Sequence, residues 1–364
     1  MSKQNGTSSN TLLTGRVQVA AVQARLRPGA VEDNLIHLED LIRDAVREHH
    51  PSLVIVPEEA ASPAVNDPAL SYVARPIDGA PMQLYRQLAR ELDIVVGGGF
   101  LAHRSNHLYS TYVLAEPDGR LHLHDKTITS AWGSHHCETG RDNGRPRVAA
   151  LGDAPVGVAT GWEWVRTDTA RRLHHRVQLL TGGLCWPSFP MNWKSPFAPW
   201  MRREHALQLG LLRELPSQMA RVLGAPVAIA SQVGTVSLRT PVATVPWRTK
   251  LVGETQIVDQ AGTVLARLGP DDGEGHIGAE VRLGPPQPTD PITDRTWIPS
   301  LSRTTRATRR ALRLHGALTY RTKRLMRLHP WQRWPAADLL SEIGPGDPAE
   351  QPVATSGPAS ARPR

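Results

Sequence analysis

The chain has 364 residues, 40% of them hydrophobic, with two cysteines and a formal net charge of +8. That length and apolar content suit one large globular unit or two smaller ones, and two cysteines argue against a disulfide framework or a thiolate-built structural zinc site. No apolar run approaches the roughly 20 residues that span a bilayer, and the polar stretch Met1 to Gly15 lacks the apolar centre of a signal peptide, so a cytoplasmic protein with no membrane span and a disordered leader at 1 to 15 is expected.

The first element is a buried strand at Arg16 to Gln23, rich in Val and Ala and followed by the turn Pro28-Gly29. Leu35, Leu38, Leu41, Ile42 and Ala45 then recur at three and four residues behind Glu32 and Asp33, which predicts an amphipathic helix over 31 to 49. A strand at Leu53 to Val56 ends in Pro57-Glu58, a helix covers Met82 to Leu92, and a strand covers Ile94 to Phe100. Gly97, Gly98 and Gly99 in that strand predict close backbone approach; no phosphate-binding fingerprint follows them.

Strands at Tyr109 to Ala115 and Arg120 to His124 flank Glu116-Pro117-Asp118-Gly119, a hairpin that delivers Lys126. Farther on come a strand at 156 to 160, a helix at 165 to 173, a strand at 177 to 181 and a loop with Trp186, Phe189 and Trp193. A long helix at 204 to 223 and strands at 226 to 231, 254 to 258, 263 to 268 and 277 to 283 complete the pattern of a layered α/β domain.

Charge is concentrated beyond that domain. Residues 295 to 334 hold eleven Lys or Arg and no Asp or Glu, so the rest of the chain, with 31 basic and 34 acidic residues, is slightly acidic. This weakens a nucleic-acid reading of the whole protein. Residues 284 to 335 read as a Pro-rich linker and a basic amphipathic arm with Ala307, Ala311, Leu314, Leu318 and Leu325 on one helical face. The expected role is an arm packed on the main domain or on a second subunit, with contact to a membrane surface or to nucleic acid as the alternatives, and a disordered tail is expected at 336 to 364.

Three segments carry chemistry: a carboxylate at a strand end (Val54-Ile55-Val56-Pro57-Glu58), a lysine at another (Leu121-His122-Leu123-His124-Asp125-Lys126), and an apolar strand entering a turn (Val156-Gly157-Val158-Ala159-Thr160-Gly161-Trp162-Glu163). This layout resembles the nitrilase, or carbon-nitrogen hydrolase, superfamily over residues 16 to 283. The resemblance implies an α/β fold of the four-layer α-β-β-α sandwich type, a small amide, nitrile or carbamoyl substrate, no cofactor, and homodimers or larger assemblies. It also implies a Glu-Lys-Cys triad with Glu58 as base and Lys126 as oxyanion stabiliser. The nucleophile position reads Gly161.

Glycine cannot attack, although the amide of Trp162 can still serve as an oxyanion donor. Cys185, in Leu184-Cys185-Trp186-Pro187, ends the next strand, and paired strands lie about 5 Å apart, so it is the candidate for a displaced nucleophile with Trp186 beside it in the pocket wall. Its ordinary reading is a small apolar wall residue. Glu59 is the fallback base and Cys137 a weaker thiol. In the loop Trp132 to Gly140, Gly133 stands where relatives carry a supporting glutamate, a role for which Glu138 is the substitute candidate. His135-His136 and His174-His175 are adjacent pairs without a third ligand at convincing spacing, so no metal is expected. Two function classes follow: a thiol hydrolase of non-peptide carbon-nitrogen bonds, and a catalytically inactive relative that keeps the pocket to bind a ligand or partner.

Overall fold

The computed structural model describes residues 15–63, 70–104, 106–130, 133–192, 194, 196–239 and 246–329. The leader up to residue 14, Trp132, Trp193 and the tail at 336 to 364 lie outside the described residues.

The chain runs β1 (Gly15–Ala24), α1 (Val31–His49), β2 (Leu53–Ile55), a short α2 (Leu70–Val73), β3 (Arg75–Pro76), α3 (Ala80–Leu92), β4 (Val95–Arg104), β5 (His107–Ala115) and β6 (Leu121–Asp125). It continues through β7 (Arg147–Val148), β8 (Ala154–Thr160), α4 (Thr167–Leu173), β9 (Leu179–Leu184) and α5 (Ala198–Leu223). Last come β10 (Val227–Arg239), β11 (Pro246–Val252), β12 (Thr255–Val258), β13 (Val264–Leu268), β14 (Gly275–Leu283) and α6 (Arg303–Leu325).

One curled sheet has the strand order β6-β5-β4-β2-β1-β10-β9-β8-β7. Its centre is parallel: β1 pairs in parallel with both β2 and β10, and β9 with both β10 and β8. Strand alternation splits the core. Val54, Val56, Ala20 and Val22 face α1 and α3 in one cluster, whereas Leu53, Ile55, Val19 and Ala21 face inward and meet Val156, Val158, Leu179, Ala228 and Ala230 from the other half of the sheet. A third cluster joins β8 to β10 with α4 and α5 through Leu180, Leu173, Leu215 and Leu223. Three apolar interfaces between four layers make this the α-β-β-α sandwich. Each fully buried Leu or Ile contributes on the order of 1.5–3 kcal/mol to it.

The α1 stripe is buried as its spacing predicts, and Asn34 within it donates from Nδ2 to the carbonyls of Arg27 and Ala61 at 2.7 and 3.0 Å. Several elements differ from the sequence reading, among them β4 and β9, which run past the expected ends at Phe100 and 181 to Arg104 and Leu184. Helix α5 starts six residues earlier than residue 204 and tolerates Pro216 in its interior. Strand β10 runs on to Arg239 and folds back on β11, whose Arg248-Thr249-Lys250 centre gives little apolar signal.

The arm helix α6 lies on the domain through its polar side. Ser302 caps it, accepting from the Thr305 amide at 3.0 Å, and the hydroxyls of Ser302 and Thr305 both donate to Glu204. Gly316 sits where a Cβ would collide with the Ser134 hydroxyl, so only glycine lets the helix lie against the 133–135 turn. Tyr320 and Arg324 bond Glu138. The face with Ala307, Ala311, Leu314, Leu318 and Leu325 points to solvent instead. Specific polar partners on the domain, rather than the apolar stripe, set the orientation of this helix.

Candidate active site

Three strand ends converge. The chain after β2 carries Glu58 into the interior, held by Val56 N–H donating to Gly97 O at 2.7 Å and Ala60 N–H to Gly99 O at 2.8 Å. Close approach is possible because glycines flank it: a Cβ at Gly99 would meet Glu58 Cα at 3.1 Å, and one at Gly183 would meet the Glu58 amide nitrogen at 2.1 Å. Gln232, from β10, donates its amide to the Glu58 carbonyl at 2.7 Å. Lys126 follows β6, its N–H donating to Ser110 O at 2.9 Å.

The Glu58 carboxylate and the Lys126 ammonium are both buried and form a direct, very short ion pair, and the Ser110 hydroxyl donates to Glu58 Oε1 at 3.3 Å. Burial pulls the Lys126 pKa down, but Glu58 and Glu59 outweigh it and leave it raised. Glu59 is partly buried, in a left-handed conformation at φ 52°. Burial, with the Glu58 charge beside it, pushes its carboxyl up to about 8, so it holds a proton at neutral pH.

Gly161 completes this group. It begins the 3₁₀ turn Gly161–Val165 at φ +48°, and a Cβ built on it would lie 2.5 Å from Glu58 Oε2 and closer still to Lys126 Nζ. A side chain at 161 would therefore enter between the two charges. With glycine there, Glu58 and Lys126 contact each other directly.

Glu163, two residues on, ties that turn to the lysine strand. Its carboxylate accepts from the amides of Thr160 and Thr127, each at 3.0 Å, and from the Thr127 hydroxyl. It also meets His124 Nε2 at 2.8 Å, while His124 Nδ1 meets Asp142 at 2.5 Å. Burial alone would lower the His124 pKa, yet the Glu163 and Asp142 carboxylates raise it to about 9. Burial likewise opposes the Glu163 charge, and the His124 cation overcomes this and holds the carboxyl far below its usual range.

The sign of the resulting pH dependence follows from linkage. A histidine pKa raised from 6.5 to about 9 on folding contributes stability in full below about 6.5 and loses it as pH climbs to about 9. Glu59, raised from 4.5 to about 8, acts in the same direction, its contribution falling away from about pH 4.5 up to about 8. Urea melts should show wild-type stability falling across this window, and His124→Gln should remove up to about 3 kcal/mol of that fall. Equal slopes in the two proteins would contradict the assignment.

Cys185 follows β9 beside the base. Its backbone N–H donates to Glu58 Oε2 at 3.4 Å, and its half-buried side chain packs with Val236 and Leu251. Trp162 and Trp186, the residues after Gly161 and Cys185, pack together with ring centroids 4.6 Å apart and planes tilted by 38°, and Trp297 meets Trp162 at 5.3 Å. Arg309 of α6 lies over this pair, its guanidinium 3.7 Å from the Trp162 centroid and 4.8 Å from that of Trp186. The arm thus roofs the tryptophans.

The other sequence candidates fall elsewhere. Glu138 bonds Tyr320 at 3.1 Å and Arg324 at 2.8 Å. Burial opposes its charge, but the Thr139 amide and these partners keep its pKa lowered. Cys137, by contrast, is buried close enough to feel Glu59, Lys126 and Glu58, and desolvation together with the carboxylate charges raises its thiol far above the ordinary range although Lys126 pulls it back. Among the described residues, the only grouping able to hold a metal is Glu48, His49 and His276, which joins α1 to β14 outside this site. Sequence reading missed the His124-Glu163-Asp142 buttress and the Arg309 roof. The alternation in Leu121-His122-Leu123-His124 puts His124 on the face opposite the leucines, which reads as the solvent side, and nothing local marks Arg309 among ten other basic residues.

No curated protein matches this sequence. Among solved structures, the chain is similar to a carbon-nitrogen hydrolase from Helicobacter pylori G27 (16% identity, TM-score 0.61, covering 73% of this chain and 89% of that one). It is also similar to Saccharomyces cerevisiae Nit3 of the nitrilase superfamily (20%, 0.56, 75% and 92%). A third is a mutant of the amidase from Nesterenkonia sp. AN1 with the acetamide moiety of fluoroacetamide added at its active-site cysteine (18%, 0.55, 72% and 89%). The carbon-nitrogen hydrolase family model matches residues 18–289, and with the fold and the converging strand ends this places the chain in the carbon-nitrogen hydrolase family of the nitrilase superfamily.

Proposed function

We propose that the protein hydrolyses a small amide, nitrile or carbamoyl compound, with Cys185 as a nucleophile displaced by one strand from position 161. The observation that carries this reading is the Cys185 amide at 3.4 Å from Glu58 Oε2, which puts that residue at the head of the buried base. With an amide, the Cys185 S–H proton passes to Glu58 as sulfur bonds the carbonyl carbon. Lys126 and the Trp162 N–H face the oxyanion. The C–N bond breaks as Glu58 returns the proton to the leaving nitrogen, and water activated by Glu58 cleaves the thioester. The Nesterenkonia amidase, modified at a cysteine, supports the thiol chemistry by likeness of fold.

A second reading, a ligand-binding relative without turnover, draws on two observations. Lys126 Nζ and the Glu58 carboxylate occupy the space a nucleophile at 161 would use, and Cys185 packs with Val236 and Leu251. Turnover of an amide, nitrile and carbamoyl panel by wild type and Cys185→Ala separates the readings. The hydrolase reading expects a loss on the order of 10⁴ to 10⁶ in rate in the variant. Equal rates, or an inert wild type that still binds panel members, would favour the second reading.

A further inference from the structure

The outer side of α6 is an anomaly for a helix packed on a domain. Leu314, Leu318 and Leu325 are 64%, 58% and 85% exposed, and Met326 and Leu328 just beyond the helix are 64% and 57% exposed. At 100° per residue the three leucines fall within one 40° sector, with exposed Ala307 at its centre and Ala311 alongside. Arg303, Arg310 and Arg321 border this stripe, and Arg306 and Arg313 stand beyond them, all exposed. Water-facing leucine rows of this kind mark a surface meant to be covered.

We propose that this face docks on an anionic lipid bilayer, with the helix lying in the interface plane, leucines inserted and arginines at the headgroups. Charge complementarity selects the occupant. Of the eleven cationic side chains in the 295 to 334 segment, Arg309 and Arg324 are held by the domain, while the exposed Arg303, Arg306, Arg310, Arg313 and Arg321 flank the stripe with no acidic residue in the segment, so this face suits a negative surface. A second copy seated on the stripe would bring the same arginines with no acidic group in the segment to meet them. Nucleic acid would use the arginines and leave the leucines in water. High basic content, an apolar row and low overall hydrophobicity are the combination that holds a helix at a membrane surface rather than across it, and no described helix is long and apolar enough to cross one. The opposite side of α6 is tied to the domain through Thr305, Arg309, Gly316 and Tyr320, so the stripe is presented on a fixed support.

Co-sedimentation of the full chain with phosphatidylcholine vesicles, with and without phosphatidylglycerol, tests this. Expected is binding to the phosphatidylglycerol vesicles that weakens with salt, drops at least about tenfold in Leu314→Glu/Leu318→Glu, and drops roughly tenfold or more in Arg310→Gln/Arg321→Gln. All four positions are exposed, and a thermal melt matching wild type confirms folding. The proposal is overturned by absence of vesicle binding, or by binding that survives both leucine changes, which is the mark of a purely electrostatic partner such as nucleic acid. A dimer in light scattering that the leucine changes dissociate would also overturn it, assigning the face to a second copy.

Discussion

Gly161→Cys should raise hydrolysis of a responsive amide or nitrile by about 10²-fold or more over wild type, the scale at which a misplaced reacting group limits an enzyme. The backbone already aims position 161 between Glu58 and Lys126, and the atoms a new Cβ would meet are the far ends of two flexible side chains. Separating them costs their direct contact and restores a thiol flanked by a base and a cation, the arrangement that favours a thiolate. The buttress is intact, since Glu163 anchors both the turn and Thr127 beside the lysine. A price in stability is expected, because a non-glycine residue at φ +48° is strained by about 1–2 kcal/mol. Rates with Cys185→Ala in the same chain show whether the new thiol acts alone. A folded variant that takes up iodoacetamide at 161 and turns over no faster than wild type would contradict the pre-built shell.

Much of this was legible because periodicity and strand ends are local. The α1 stripe, the Pro57-Glu58 strand end, the hairpin ahead of Lys126 and the turn at Gly161 each announce themselves within one short local segment, and the sheet then brings the last three together. What stayed hidden depends on long-range contact. Glu59 looks like an interchangeable neighbour of Glu58, and only burial against that charge makes it a protonated acid. Glu138 has the right residue type in the right loop, yet Tyr320 and Arg324, more than 180 positions away, hold its carboxylate. The outward stripe of α6 was hidden for the opposite reason. Its amphipathicity is plain in sequence, but which face meets the domain was decided by Glu204, the tryptophan pair and the turn at Ser134.

Removing one partner of the buried ion pair should have the largest effect on stability. Lys126→Met leaves the Glu58 carboxylate uncompensated where, among the described residues, its other polar contacts are the Ser110 hydroxyl at 3.3 Å and the Cys185 amide at 3.4 Å. Losing one member of such a pair typically costs about 3–5 kcal/mol, whereas replacing both by apolar groups of similar size is often close to neutral. Chemical denaturation of Lys126→Met should therefore show a loss of that size, and Glu58→Leu/Lys126→Met should recover most of it. The comparison bears on function, because a pair that an apolar substitute can replace without loss is not kept for stability. Recovery in the double variant, together with loss of panel binding, would mean that Glu58 and Lys126 are retained for the ligand. A double variant no more stable than Lys126→Met would instead make the pair a structural element and remove the strongest physical reason for expecting chemistry at this site.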